Sequence, residues 1–274
     1  MPKGQIALVT GATGVIGRAI AAELGARGAS LVLTGRRREV LAEVAAALRD
    51  RGVQVETVSG DVSDPDHVDD AVARANDVFG PVTTLVNNAG GSTSAHAAIA
   101  ESDPRVWQAT LSANVYGPYL FARAVLPSML ERKNGRIITV ASRAGTAATP
   151  WAGDYAVAKT AAIRLSENIA AETQGQGVTA FSLHPGGVVN PSIAKAIERG
   201  IVAPERYPDT AETAARMVAD LADGRHDVLS GAYLDVNDDL AALAAQRTPG
   251  SSPTRVLRVV DLPADWHAKP RKAG

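Results

Sequence analysis

The sequence predicts an α/β fold: one doubly wound parallel sheet of about seven strands, with helices on both faces. Three observations carry this expectation. Short apolar runs alternate with longer alanine-rich segments along the 274 residues, the rhythm of parallel βαβ units whose sheet is covered on both sides. Glycine or proline stands where many of these segments begin or end, as helix start and stop signals do. No internal repeat breaks the pattern, so one open sheet is the simplest architecture.

Taken in order, residues 6–10 form an apolar strand, and 15–27 a helix with Gly28 just past its end. Residues 31–34 read as a second strand and 40–51 as a helix closed by Gly52. Residues 53–58 alternate apolar and polar, the period of a strand. Asp64-Pro65 opens the next helix, because proline suits the first helical turn. Strands follow at 82–86 and 136–140, with helix from about 104 to 129 between them. A long helical pattern covers 152–174; a strand at 178–183, a helix at 210–221 and a last strand at 232–236 complete the series. Residues 186–209 lack strong periodicity and contain prolines, so they read as a loop region with short helices. The domain is expected over residues 1–243, with a C-terminal extension over 244–274.

Composition narrows the function. A chain of this size buries about three quarters of the surface it exposes unfolded, so it needs no staples. Lys and Arg number 28 against 29 Asp and Glu, a net charge of −1, which offers no field to recruit nucleic acid. There is no cysteine, so disulfides, thiolate metal sites and a thiol nucleophile are excluded. His96 and His184 have no metal-ligand spacing with other His, Asp or Glu residues, and no metal is expected. The apolar run at the N-terminus is too short for a signal peptide, and no run approaches the roughly 20 residues that span a bilayer. A cytoplasmic protein without membrane association is expected.

Gly11, Gly14 and Gly17 lie three apart, after the first strand and at the start of the first helix. In that context the first allows a tight turn, the second lets backbone approach a pyrophosphate, and the third lets helix and strand pack. The helix N-terminus adds free N–H groups and partial positive charge. The alternative is a glycine-rich turn that holds nothing.

Four further pieces fall in a fixed order: Asn87-Asn88-Ala89-Gly90, Asn114, Ser142, and Tyr155-Ala-Val-Ala-Lys159, with His184-Pro185-Gly186 downstream. With the glycine turn they resemble the short-chain dehydrogenase/reductase family, in its short single-domain branch. The resemblance runs from Ala7 to about Asp235. It implies a Rossmann-type fold and a single dinucleotide-binding and catalytic domain. The activity implied is hydride transfer between a nicotinamide and a ketone or secondary alcohol. It further implies that Tyr155 exchanges the proton, Ser142 orients the substrate oxygen, Lys159 also binds the nicotinamide ribose, and Asn114 helps hold a water-linked proton path. Asn88, Ala89 and Gly90 would pack beside the adenosine half and Asp61 would contact adenine. Thr13, Val15, Ile16, Val62, Pro185, Gly186, Val188 and Asn190 would complete the cofactor site. Family members are commonly homo-tetramers or homo-dimers joined through the long helices near 114–129 and 152–174.

The chemistry also stands on the residues. Tyr155 and Lys159 are four apart on one helix face. A phenol near pKa 10 is a poor acid–base group at neutral pH, and a neighbouring ammonium is expected to lower it. About twenty residues beyond the glycines, where an acidic side chain usually holds an unphosphorylated ribose, the chain reads Thr34-Gly35-Arg36-Arg37-Arg38. A guanidinium pairs bidentately with a 2′-phosphate. Arg36, supported by Arg37, therefore favours NADP(H), with NAD(H) as the alternative. Position 13 is threonine, so the basic residue that some NADP-preferring relatives carry in the glycine loop is missing.

Three departures from the family pattern stand out. The middle glycine is at 14, where the short branch has it at the place of Val15. Asn190 stands where many relatives have a threonine, and Asp238-Asp239 where many have a glycine pair. The pocket is expected from loops 91–97, 143–153 and 187–207, which offer Thr146, Thr149, Trp151, His96, Ile193 and Tyr207. So few charges suit a small uncharged carbonyl or alcohol. Arg143 is either a contact for a substrate carboxylate or a solvated surface group. Two other functions fit the same fold: a dinucleotide-binding regulatory protein, against which the intact tetrad argues, and a dehydratase or epimerase that retains its cofactor.

Overall fold

The computed structural model describes residues 4–91, 97–200, 203–247 and 255–257. Seven parallel strands form one sheet: β1 (Ile6–Val9), β2 (Ser30–Gly35), β3 (Val55–Ser59), β4 (Thr84–Asn87), β5 (Gly135–Val140), β6 (Val178–His184) and β7 (Tyr233–Asp235). Their order is β3-β2-β1-β4-β5-β6-β7. The chain winds outward from β1 to β3, then crosses back to place β4 on the other side of β1. That reversal opens a crevice at the carboxyl ends of β1 and β4, where open α/β sheets bind ligands.

The apolar side chains of the strands divide between two cores. Ala7 and Val9 face one side with Leu31, Leu33, Ile138 and Phe181, under α1 (Val15–Ala26), α2 (Arg38–Arg49) and α8 (Ala211–Ala222). Ile6 and Leu8 face the other with Val32, Leu85 and Ile137, under α3 (Pro65–Val78), α5 (Gly117–Glu131) and α6 (Gly153–Glu172). Burial on both faces is why the central strands read as continuous apolar runs. A side chain such as Leu8 or Phe181, wholly removed from water, contributes about 1.5–3 kcal/mol.

The helices start where their sequence says they should. Asp64 caps α3, its side chain accepting from the Asp66 N–H, with Pro65 in the first turn. Asp103 and Pro104 start α4 (Pro104–Leu111) in the same way.

Two features depart from the expected elements, and one expected feature is found. The single helix from 104 to 129 is instead α4 and α5 joined through a π-helical turn, Ser112–Tyr116. Short helices do occur within 186–209, as α7 (Pro191–Glu198) and a 3₁₀ turn at Pro204–Arg206. An unforeseen helix, α9 (Leu240–Ala245), follows β7 and is capped by Asp239. Of the extension, residues 255–257 lie along β7, where the Tyr233 N–H donates to the Arg255 carbonyl.

Candidate active site

The glycine turn is built by close approach. Gly11 has φ +64°, a conformation that suits glycine, and a Cβ there would lie 2.7 Å from the Ala89 Cα. A Cβ on Gly17 would strike the Gly11 carbonyl and lie 2.7 Å from Asn88 Nδ2. Asn88 stitches the turn to β4: its Nδ2 donates to the Thr10 carbonyl (2.9 Å) and the Gly11 carbonyl (3.2 Å). The Thr10 hydroxyl in turn accepts from the Asn88 and Ala89 N–H groups, both at 3.0 Å.

Gly14, by contrast, is exposed at the N-cap of α1, its nearest neighbour the Gly11 carbonyl at 3.4 Å from a Cβ position. The N–H groups of Val15, Ile16 and Gly17 make up the first turn of α1, whose donors have no acceptor within their own helix. An open backbone cradle with unspent donors fits the pyrophosphate of a dinucleotide. Val15 is 40% exposed at the lip, whereas Ile16 packs against the core and leaves only its backbone for a ligand.

Asn114 is 1% exposed in the π-helical turn. Its Nδ2 donates to the Thr110 and Gly91 carbonyls, each at 2.8 Å, and its Oδ1 accepts from the Gly91 N–H at 3.1 Å. A side chain at Gly90 would run into Asn114 Oδ1 and come within 3.4 Å of Lys159 Nζ. The Asn88–Gly90 strip, Asn114 and Lys159 therefore form one packed unit.

Ser142 follows β5, and its hydroxyl accepts from the Ala144 N–H at 3.2 Å. Tyr155 and Lys159 share one face of α6. Lys159 is 5% exposed, donates to the Val140 carbonyl at 2.8 Å, and stands over the Tyr155 ring, 5.5 Å from its centroid. Burial lowers the lysine from 10.5 to about 8.

The phenol does not follow the sequence expectation. Burial raises Tyr155 above its ordinary value, and the hydrogen bond with Ser142 only opposes that rise. The ammonium meets the ring and a carbonyl rather than the phenol oxygen, and desolvation prevails.

At the other end of the crevice, Arg37 N-caps α2 and donates to the Thr13 carbonyl at 3.1 Å. Arg36 is exposed and acts electrostatically on Asp61. Asp61 is held below the usual carboxylate range first by the hydroxyl and N–H of Ser63, at 2.7 and 2.9 Å, and then by Arg36. Val62 is buried, with its side chain and its carbonyl both packed against Gly117.

Beyond β6, the Pro185-Gly186-Gly187 turn leads to Val188, which bridges to Asp209. Asn190 Oδ1 accepts from the Ile193 N–H and caps α7, so its acceptor is spent on the helix. Ile193 is partly buried in α7. Tyr207 is close enough to Tyr155 to act on it electrostatically. Trp151 is 63% exposed with φ +60°, an unusual backbone for an aromatic residue, just ahead of α6. Thr146 and Thr149 spend their hydroxyls on the Arg143 and Ala147 carbonyls. His96 and most of loop 91–97 lie outside the described residues.

Arg143 is an exposed surface charge, as the second alternative had it, but it is not free of partners. It pairs with Asp235 of β7 at 3.0 and 2.8 Å. Asp238 takes the Asp235 N–H and Arg255 at 2.7 Å each, so it ties residue 255 to the end of β7, while Asp239 caps α9. Among the described residues no group of three or more His, Asp or Glu is placed to hold a metal ion, and no helix is long and apolar enough to cross a membrane.

Sequence reasoning missed Arg18, Thr110, Asp154 and Asp209. Asp154, 2% exposed and next to Tyr155, accepts from the Thr110 hydroxyl at 2.8 Å. Its place one residue before Tyr155 was the available signal.

A parallel sheet with a glycine cradle at its reversal point, and a Ser–Tyr–Lys group beside it, defines a nucleotide-dependent α/β enzyme. The family model for short chain dehydrogenases matches residues 5–200. The chain is 34% identical to a short chain dehydrogenase of Monascus ruber over 250 residues, 89% of this chain and 84% of that one. It is 35% identical to the D-beta-hydroxybutyrate dehydrogenase of Cupriavidus necator over 198 residues, 72% and 76% of the two chains. A crystal structure of an actinorhodin polyketide ketoreductase variant with NADPH superimposes with a TM-score of 0.79 at 30% identity, covering 85% of this chain and 95% of that one. The chain belongs to the short-chain dehydrogenase/reductase family, and is an NAD(P)-dependent dehydrogenase/reductase.

Proposed function

We propose that this enzyme is an NADP(H)-dependent oxidoreductase that interconverts a small uncharged ketone and its secondary alcohol, with Tyr155 as general acid and base. The observation that carries the reading is the grouping of Ser142, Tyr155 and Lys159 at the crevice, with the buried Lys159 Nζ 5.5 Å from the Tyr155 ring centroid. The NADPH held by the similar ketoreductase structure supports the cofactor choice, as does the absence of a carboxylate at Thr34–Arg38.

When bound, the nicotinamide supplies or accepts the hydride. The chain's own residues do the rest. The backbone of Thr13, Gly14 and Val15 would seat the pyrophosphate, Arg36 and Arg37 the 2′-phosphate, and Lys159 the nicotinamide ribose. Ser142 would fix the substrate oxygen against the phenol, so that proton transfer proceeds within hydrogen-bond reach. In reduction the Tyr155 O–H would donate its proton to that oxygen and be left as phenolate; in oxidation the phenolate oxygen, its proton first released to solvent, would take the proton of the alcohol O–H.

The test is NADPH consumption with a panel of ketones. Tyr155→Phe should abolish turnover while NADPH still binds; a fully active variant would refute the assignment. Cofactor that stays bound through purification, without net turnover, would favour the dehydratase or epimerase alternative instead.

A further inference from the structure

The glycine loop carries no basic residue, but the first turn of α1 delivers one to it. Arg18, exposed on α1, turns back so that its Nε donates to the Thr13 carbonyl at 3.2 Å. Arg37, from the start of α2, donates to the same oxygen at 3.1 Å. Two guanidinium groups separated by 19 positions thus share one neutral acceptor, with Arg36 adjacent in sequence.

Electrostatically this is an unfinished arrangement. A carbonyl has two lone pairs and satisfies two donors, but it neutralises neither charge, and like charges brought together repel. A phosphate dianion would accept from both forks and cancel the repulsion, and charge-assisted bonds of that kind are about twice as strong as neutral ones.

The position says which phosphate. The pyrophosphate belongs at the N–H groups of residues 15–17, on the axis of α1. Thr13 lies to the side, against the end of β2: a Cβ on Gly35 would come within 3.2 Å of Thr13 Cγ2. The end of the second strand is the ribose end of a dinucleotide in such a sheet.

We propose that Arg18 is a specificity-determining residue, which forms with Arg37 a clamp for the 2′-phosphate of NADP(H). The proposal rests on the NADP(H) reading given above. It explains how a loop with threonine at position 13 carries a second cation: the charge comes from the helix that the loop starts.

The test is calorimetric titration of the full chain with 2′,5′-ADP and with 5′-AMP, which differ by the 2′-phosphate alone. Wild type should bind 2′,5′-ADP more tightly. Arg18→Ala should weaken that ligand by about tenfold and leave 5′-AMP within about twofold. Arg18→Lys, which keeps the charge but loses the planar fork, should fall between. The losses should shrink in high salt, as screening requires. Equal weakening of both ligands by Arg18→Ala would show Arg18 to be a brace for the loop and overturn the proposal. So would an unchanged affinity for 2′,5′-ADP in a wild type that prefers it. A wild type that does not prefer 2′,5′-ADP overturns the NADP(H) reading itself, a result distinguishable from the other two. Thermal unfolding of each variant separates lost binding from lost folding.

Discussion

Gly187 and Asp209 hold each other twice: the Gly187 N–H donates to Asp209 Oδ2 at 2.7 Å, and the Asp209 N–H donates to the Gly187 carbonyl at 3.1 Å. The pair closes the base of the segment that carries α7 and Tyr207. Because Tyr207 is near enough to act on Tyr155 electrostatically, loosening the clasp should disturb the substrate side of the site. Asp209→Ala removes a charged acceptor, a loss of about 1.5–3 kcal/mol of local stability. The KM for the carbonyl substrate should rise several-fold, with a smaller change in kcat, and limited proteolysis should cut sooner within residues 188–208. Unchanged KM and unchanged cleavage would show that the clasp does not govern the segment.

Gly14 and Gly17 should separate binding from folding. Alanine at 17 would drive its methyl into the Gly11 carbonyl and Asn88, an overpacking that costs about 2–3 kcal/mol; its unfolding midpoint should fall clearly. Alanine at 14 meets the Gly11 carbonyl only at an ordinary 3.4 Å, at an N-cap where the change costs less than about 1 kcal/mol. That variant should keep its midpoint yet bind NADPH about tenfold more weakly, because the methyl stands where the pyrophosphate must approach. If both variants lose stability equally, Gly14 is a folding residue and not the open floor of the cradle.

Asp154 ties the helix that bears Tyr155 to the turn that bears Asn114. Its carboxylate accepts from the Thr110 hydroxyl, while the Thr110 carbonyl accepts from Asn114. Through the Thr110 hydroxyl Asp154 acts on the turn that bears Asn114, the role of a positioning residue. Asp154→Ala should lower kcat by about tenfold with little effect on the dissociation constant for NADPH. Asp154→Asn, which still offers an acceptor oxygen, should recover much of the loss. A fall in kcat that Asn does not rescue would mean that the charge, rather than the hydrogen bond to Thr110, is what matters.

How much of this was legible follows from where the information lies. The strands were readable because burial on both faces leaves uninterrupted apolar runs, and the four-residue step from Tyr155 to Lys159 fixes a shared helix face. The π-helical turn was not readable. It arises where the Asn114 side chain takes the Thr110 carbonyl, the acceptor a regular helix gives to the backbone N–H of residue 114, and a side chain entering that ladder distorts it. Nothing local in Ser112–Tyr116 signals that contact. Arg143 and Asp235, 92 positions apart, are joined only by tertiary structure. The direction of the Tyr155 shift was misjudged because helix spacing gives the nearness of Lys159 and says nothing of the desolvation that outweighs it.

Lys159 gives the clearest dependence on pH. Burial holds its pKa at about 8 against 10.5 when exposed, so between these values the unfolded chain binds a proton that the folded chain has released. Stability from this group therefore rises with pH across that window, and its full penalty is felt below about 8. The difference corresponds to about 3 kcal/mol at most, offset by the bond to the Val140 carbonyl. Lys159→Met should be inactive and yet, at neutral pH and without cofactor, unfold no more easily than wild type. Subtracting the two unfolding free energies removes every other titrating group, and wild type should gain on the variant as pH rises from 8 toward 10. A flat difference across that range would mean that burial places no strain on the lysine, and that its charge is already balanced before any cofactor arrives.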